Sequence, residues 1–164
     1  MSLKEIPPGG ICLSSFLIVR DDGRVLMGMI DAGAPWDHLG ALDSKRIEMH
    51  SKGWMLPSSH LIVHESPQRA AKRIAVEQLE LPDLVITEPR VVSEVYPPRY
   101  FPDQSEHWDL EFISFASSKA EKIPLKTVAF RELRLLDPKV LKHSEVARSH
   151  EDILSSIGIE LSHD

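Results

Sequence analysis

The stretch Gly53-Trp54-Met55-Leu56-Pro57-Ser58-Ser59-His60-Leu61-Ile62-Val63-His64-Glu65-Ser66-Pro67-Gln68-Arg69-Ala70-Ala71-Lys72-Arg73-Ile74-Ala75-Val76-Glu77-Gln78-Leu79-Glu80-Leu81 decides how the chain folds. Ser66-Pro67 opens a helix: serine caps the free N–H groups, and proline at the first helical position loses no hydrogen bond. The helix runs to about Leu79 and stops before Pro82. Ala71, Ile74, Ala75 and Leu79 recur at helical spacing, which on its own reads as an ordinary packing face.

Outward from this segment the pattern is mixed. Upstream, the apolar runs Cys12 to Val19 and Arg24 to Ile30 flank Asp21-Asp22-Gly23, and an Asp-Gly pair between β-type runs predicts a hairpin. Residues 31–52 hold Gly33, Pro35, Gly40 and many charges without steady periodicity, so they read as a long loop or insertion. Downstream, Leu84 to Val95, His107 to Ala116 and Thr127 to Leu136 read as strands, and Tyr96 to Glu106, with three prolines, as a loop. Val146, Ile153, Leu154 and Ile157 predict a closing helix over 144–157. No repeat or composition break divides the 164 residues, and 42% hydrophobic content suffices for one core; the expectation is a single α/β domain with a short tail at 1–10.

Charge and composition exclude some functions. With 25 acidic against 19 basic residues, the net charge of -6 argues against a nucleic-acid backbone as partner. No apolar run approaches the roughly 20 residues that span a bilayer, and the start carries no apolar secretory run, so neither membrane nor export is expected. Cys12 is the only cysteine and lies in an apolar run, where a thiol behaves as a small hydrophobe; this fits a cytoplasmic protein.

The order Trp54-Met55-Leu56-Pro57 followed by Ser59 to Leu81 resembles the Nudix box, G-x5-E-x7-R-E-U-x-E-E-x-G-U with U aliphatic, and its usual run-in. Glu65 matches the first glutamate, Arg73 the arginine, Glu77 one of the acidic pair and Leu81 the last aliphatic position, without a gap. Ser59, Ile74, Gln78 and Glu80 stand where the box has glycine, glutamate, glutamate and glycine, and Ala75 is a weak aliphatic. The resemblance implies a Nudix-like α/β/α sandwich with a mixed β-sheet, a homodimer, and a ligand of the nucleoside-diphosphate type. It also implies that helix glutamates hold Mg²⁺ against the diphosphate. Here Glu65 and Glu77 are the metal candidates, and Arg73, Ser59 and His60 the ligand-binding candidates.

Helical spacing turns Ile74, Glu77 and Gln78 toward the same site, and two of the three are not anionic. Mg²⁺ is often held by one or two carboxylates with waters and phosphates, so weak or absent binding is expected. A positioned base contributes roughly 10²- to 10⁴-fold in rate, and Ile74 offers none. The resemblance therefore implies a binding protein with ordinary Mg²⁺-dependent diphosphate hydrolysis impaired or lost. Two alternatives stand beside it: a Nudix hydrolase of altered mechanism, and a structural or oligomerisation module. Some relatives that act on nucleotide sugars also lack the glutamate after the arginine and use a loop histidine as base. Besides Glu77, the catalytic candidates are thus His107, His143 and His150, each against the plainer reading of a surface or structural histidine.

Further residues carry weaker signals. Asp109 and Glu111 share one strand face, either supplying a replacement carboxylate or forming a solvated face. Glu132 matches an acid common in the family, but Leu135 replaces the aromatic expected after it. Trp36, Tyr100 and Trp108 are stacking candidates set against core roles, and Trp54 reads as structural. Glu80 at a left-handed helix end would cost about 1–2 kcal/mol relative to glycine.

Overall fold

The structure is a computed structural model and describes residues 6–96 and 105–163. Tyr100 and the greater part of its loop lie outside the described residues. The predicted hairpin forms from β1 (Ile11–Asp21) and β2 (Arg24–Ile30), antiparallel with Asp21 opposite Arg24. Asp22 (φ 48°) and Gly23 (φ 76°) make the turn, the mirror-image type whose twist matches paired strands. Strand β3 (Ser58–His60) pairs antiparallel with Ser14 to Phe16 of β1. Strands β4 (Arg90–Tyr96), β5 (His107–Ser117) and β6 (Phe130–Leu136) complete a mixed sheet of order β4-β5-β1-β2-β6, with β3 beside β1 and β1 parallel to β5.

Both faces of the sheet are covered, as the α/β/α expectation requires. Leu17, Ile18 and Val19 are all fully buried, which is possible only for a strand covered on both sides. Leu17 and Val19 pack with Ile74, Ala75 and Leu79 of the box helix. Phe16 and Ile18 pack with Ile153 and Leu154 of the closing helix. Gly28 of β2 exchanges both backbone hydrogen bonds with Met55, anchoring the run-in to the box. A Cβ at Gly28 would lie 2.3 Å from the Phe130 ring, so only glycine leaves room for that ring to cross.

Several predicted boundaries move. Residues 31–52 are not a bare loop: they hold α1 (Trp36–Leu39) and α2 (Ser44–His50). Asp43 caps α2 by accepting from the Arg46 N–H at 2.8 Å, and Trp36 and Leu39 sit in the core, a tertiary anchor that local composition does not announce. The box helix is α3 (Pro67–Arg73) continued by a π-helical turn over Ile74–Gln78, where the Leu79 N–H reaches back to Ile74 O. Strand character begins only at Arg90 and at Phe130. Residues 84–89 instead turn Leu84 and Ile86 onto the core. The closing helix shortens to α4 (His150–Ser156), because Arg148 (φ 59°) and Ser149 (φ 55°) are left-handed and break it from the turn at His143–Glu145. Among the described residues, no helix is long and apolar enough to cross a membrane.

Candidate functional site

Ser66 caps α3 through the Arg69 N–H at 3.3 Å, with Pro67 at the first position, and this fixes where Arg73 points. The Arg73 guanidinium donates to both oxygens of Glu65 (2.8 and 3.0 Å), to Ser59 Oγ (3.2 Å) and to His60 O (3.0 Å). Glu65 also accepts from the Ile62 N–H at 3.0 Å. The Arg73 and Glu65 side chains are 12% and 10% exposed, so this is a part-buried bidentate pair. The Arg73 hydrogen bond holds the Glu65 carboxyl below the usual range. Four sequence candidates, Ser59, His60, Glu65 and Arg73, are thus brought together as a brace that fastens the box loop to its helix.

Ile74 and Gln78 share the inward side of the π-helical turn, as their i, i+4 spacing predicts, but Glu77 does not join them. Ile74 is fully buried in the core. Gln78 is also fully buried, and its amide nitrogen donates to Leu39 O (2.8 Å) and Ser58 O (2.7 Å) while its oxygen accepts from the Ser58 N–H (3.3 Å). Of the three, Glu77 alone keeps an accessible side chain, with Oε2 3.5 Å from His38 Nε2. The box therefore offers a divalent ion one carboxylate. Glu65 is engaged by Arg73, and among the described residues no group of three His, Cys, Asp or Glu donors converges here. The residues present do not fit a carboxylate-held cation cluster.

The candidate bases are scattered. His150 is buried in the core, its Nδ1 accepting from the Leu56 N–H at 2.9 Å, and burial holds its pKa well below the ordinary imidazole value. His143 lies in an exposed turn with its ring parallel to that of His163, centroids 6.5 Å apart. His107 is the one candidate set among other polar groups: Nε2 is 3.4 Å from Asp109 Oδ2 and the ring stacks on Tyr96 at 5.9 Å. Along β5, His107 and Asp109 alternate in phase with Ile113, so they face the α4 side, opposite Ile74.

Asp109 and Glu111 do share a face, but it is not a solvated one. Glu111 is 2% exposed, its Oε1 accepts from Tyr96 Oη at 2.9 Å, and burial pushes its carboxyl up to about 7. Trp54 is buried, as expected, and so is Trp36, whose Nε1 donates to Asp31 O. Trp108 instead donates to Ser93 Oγ. Glu132 pairs with Arg134. Sequence reasoning missed two residues here: Cys12, directly in register with Asp109, and Arg148, whose charge acts on both. The register of a parallel pair far apart in sequence leaves no local signal.

No protein-family profile and no curated protein matches the chain. Solved structures do. A putative nudix hydrolase family member from Chromobacterium violaceum superposes with a TM-score of 0.54 at 12% identity, over 92% of this chain and 78% of its own. The bifunctional NMN adenylyltransferase/ADP ribose pyrophosphatase from Francisella tularensis gives a TM-score of 0.54 at 13% identity, over 89% of this chain. The MutT/nudix family protein from Enterococcus faecalis gives 0.48 at 16% identity, over 82%. The chain spans 40% of the length of the Francisella protein and 45% of the Enterococcus one. At these identities the two superpositions with TM-scores of 0.54 show a likeness of architecture, and it agrees with the sheet order and two-sided packing described above: the chain has the Nudix fold.

Proposed function

We propose that this is a Nudix-fold protein that binds a nucleoside-diphosphate-type ligand and has lost most or all ordinary Mg²⁺-dependent diphosphate hydrolysis. The observation that carries the loss is Gln78, a neutral amide sealed by three hydrogen bonds to the Ser58 and Leu39 backbone, next to Ile74 in the core. Ile74 has no donor atom, and the Gln78 amide, its oxygen engaged by the Ser58 N–H, supplies neither an anionic ligand nor a base. Glu77 is the box carboxylate left for Mg²⁺, and one carboxylate holds that ion weakly unless waters and ligand phosphates complete its shell. The ligand class is supported by the fold and by the Francisella relative, an ADP ribose pyrophosphatase. In this reading Arg73, Ser59 and His60 shape the loop that meets the phosphates, and the assembly is a homodimer.

The test is a thermal-shift screen of ADP-ribose, nucleoside triphosphates and dinucleotide polyphosphates with and without Mg²⁺, with product analysis of every hit. Stabilisation without turnover is expected, and hydrolysis at ordinary enzyme rates would overturn the reading. Absence of any shift would favour a purely structural module. One observation favours a second reading, an active hydrolase of altered mechanism: Asp109 stands beside His107 as an orienting carboxylate stands beside a histidine base. That reading requires turnover that drops when His107 is replaced, and it is lost if replacing His107, His143 and His150 in turn changes nothing.

A further inference from the structure

The face of the sheet away from the box holds a second cluster built by register alone. In the parallel pair, Cys12 stands opposite Asp109, and His107 follows two residues away on the same face of β5. Tyr96, opposite His107 on β4, stacks on its ring and fixes the imidazole plane. One donor atom each from Cys12, His107 and Asp109 lies within 4.8 Å of the others. His107 Nε2 and Asp109 Oδ2 are 3.4 Å apart. Ligand bonds of about 2.0–2.1 Å to zinc place two nitrogen or oxygen donors about 3.4 Å apart on a tetrahedron, so this edge is already formed. With the Cys12 thiol within 4.8 Å of both, the three donors make one face of a coordination shell with an open fourth position.

The Arg148 guanidinium acts on both Cys12 and Asp109, but it does not satisfy every carboxylate oxygen on this face. Among the described residues, Asp109 Oδ1 and Glu111 Oε2 are both buried without a hydrogen-bond donor. Glu111 is almost fully buried and lines a small cavity of about 350 Å³ with Glu94, Tyr96, Asp152 and Ser155. Buried acceptor oxygens without donors are costly, and a cation beside them removes the cost. Burial and the Asp109 carboxylate push the Cys12 thiol up, while Arg46 and Arg148 pull it the other way. A bound cation adds to that pull and yields the thiolate that a metal binds. All three donors are half-buried, so an ion can reach them from solvent.

We propose that Cys12, His107 and Asp109 form a binding site for a divalent transition metal of the zinc class. A thiolate-imidazole-carboxylate set selects zinc or cobalt over Mg²⁺, because a soft sulfur donor gains nothing from a hard ion. No residue of the site belongs to the box, so the site stands or falls independently of the nucleotide reading. It also separates His107 from the base role, since a metal-bound nitrogen has no lone pair to accept a proton.

The full chain, stripped with chelator, is titrated with Co²⁺ and then with Zn²⁺. Expected is one ion per chain, with a sulfur-to-cobalt charge-transfer band and the intense visible bands of a four-coordinate site. Cys12→Ser should abolish the charge-transfer band, and His107→Gln or Asp109→Asn should weaken zinc binding at least about tenfold. His143→Ala, which removes one ring of the exposed His143–His163 pair, should change neither. The wild-type chain supplies a reading that needs no variant: Cys12 is the only thiol, so zinc should suppress its alkylation severalfold. The proposal is overturned if zinc leaves alkylation unchanged, if no charge-transfer band forms, or if binding survives Cys12→Ser and His107→Gln but not His143→Ala.

Discussion

Replacing Gln78 by glutamate, the residue the box pattern has at this position, should destabilise the protein, and by an amount that depends on pH. The amide nitrogen donates to Leu39 O at 2.8 Å and to Ser58 O at 2.7 Å. A carboxylate there directs an anionic oxygen at two carbonyl oxygens and leaves both without that donor. Each buried, unsatisfied acceptor costs about 1–3 kcal/mol, so the loss at neutral pH is on the order of 4 kcal/mol. For a chain of this size that corresponds to roughly 8–16 °C in Tm. Protonation lets the introduced carboxyl donate to one of the carbonyls, so its folded-state pKa must rise above the unfolded value of about 4.3. The sign follows: the variant is nearest to wild type below that value and loses stability as pH rises through the raised folded value. Gln78→Leu, which cannot ionise, should lose a similar amount at every pH. Differential scanning fluorimetry of the three proteins from about pH 5 to about pH 8 reads this directly. A Gln78→Glu protein within about 2 °C of wild type at the upper pH would refute the claim that the amide locks the box, since that shift is worth only about 0.5–1 kcal/mol.

Three further outcomes are expected. Arg73→Ala leaves the part-buried Glu65 carboxylate with the Ile62 N–H alone and should cost about 1–3 kcal/mol in chemical denaturation. Because Arg73 depresses the Glu65 pKa, the pair stabilises above the ordinary carboxylate range and loses that contribution as pH falls through the depressed value; the variant should lack this acid-side loss. Glu80→Gly should stabilise by about 1 kcal/mol in urea melts, since Glu80 ends the helix at φ 57°, a conformation that only glycine adopts freely. Glu111, with a folded pKa raised to about 7, contributes fully below the unfolded carboxylate value and loses its contribution as pH rises through about 7. In metal-free protein, Glu111→Gln should flatten that decline, worth on the order of 3 kcal/mol for a shift of this size; an unchanged Tm-against-pH profile would remove Glu111 as its source.

What is legible in the sequence is what is determined locally. Asp22-Gly23 dictates a hairpin because both turn residues must take positive φ, and Ser66-Pro67 dictates a helix start because the cap and the missing N–H act within one turn. Glu80 betrays its strained helix end for the same reason. What is not legible depends on partners distant in sequence. Trp36 makes a helical anchor out of a loop-like segment by reaching the core beside Phe130, a contact no local pattern encodes. Gln78 lies on the side of Ile74, as helical spacing predicts, but its partners are the Ser58 and Leu39 carbonyls, 20 and 39 residues away, which no local pattern announces. Cys12 reads as a small hydrophobe because its neighbours along the chain are apolar, whereas its neighbour across the sheet is Asp109.

The box-like residues differ in what they do for the fold. The box residues that match the pattern in the brace, Glu65 and Arg73, bind each other and the loop backbone, and their value to the fold does not depend on any reaction. The two acidic positions without a carboxylate carry residues that pack: Ile74 fills core volume, and Gln78 supplies donors to the Leu39 and Ser58 carbonyls. An acidic side chain at Gln78 needs a cation opposite it to be tolerable, whereas an amide satisfies the same carbonyls unaided. The local structure around Gln78 is therefore stable without metal, and the Ile74 side is too, since burying a carboxylate there would displace an isoleucine from the core. The proposed loss of metal-dependent hydrolysis rests on this arrangement, in which the helix keeps its packing without a cation. Glu77, the box acid whose side chain still reaches solvent, lies beside His38, and among the described residues no group of three His, Cys, Asp or Glu donors forms there.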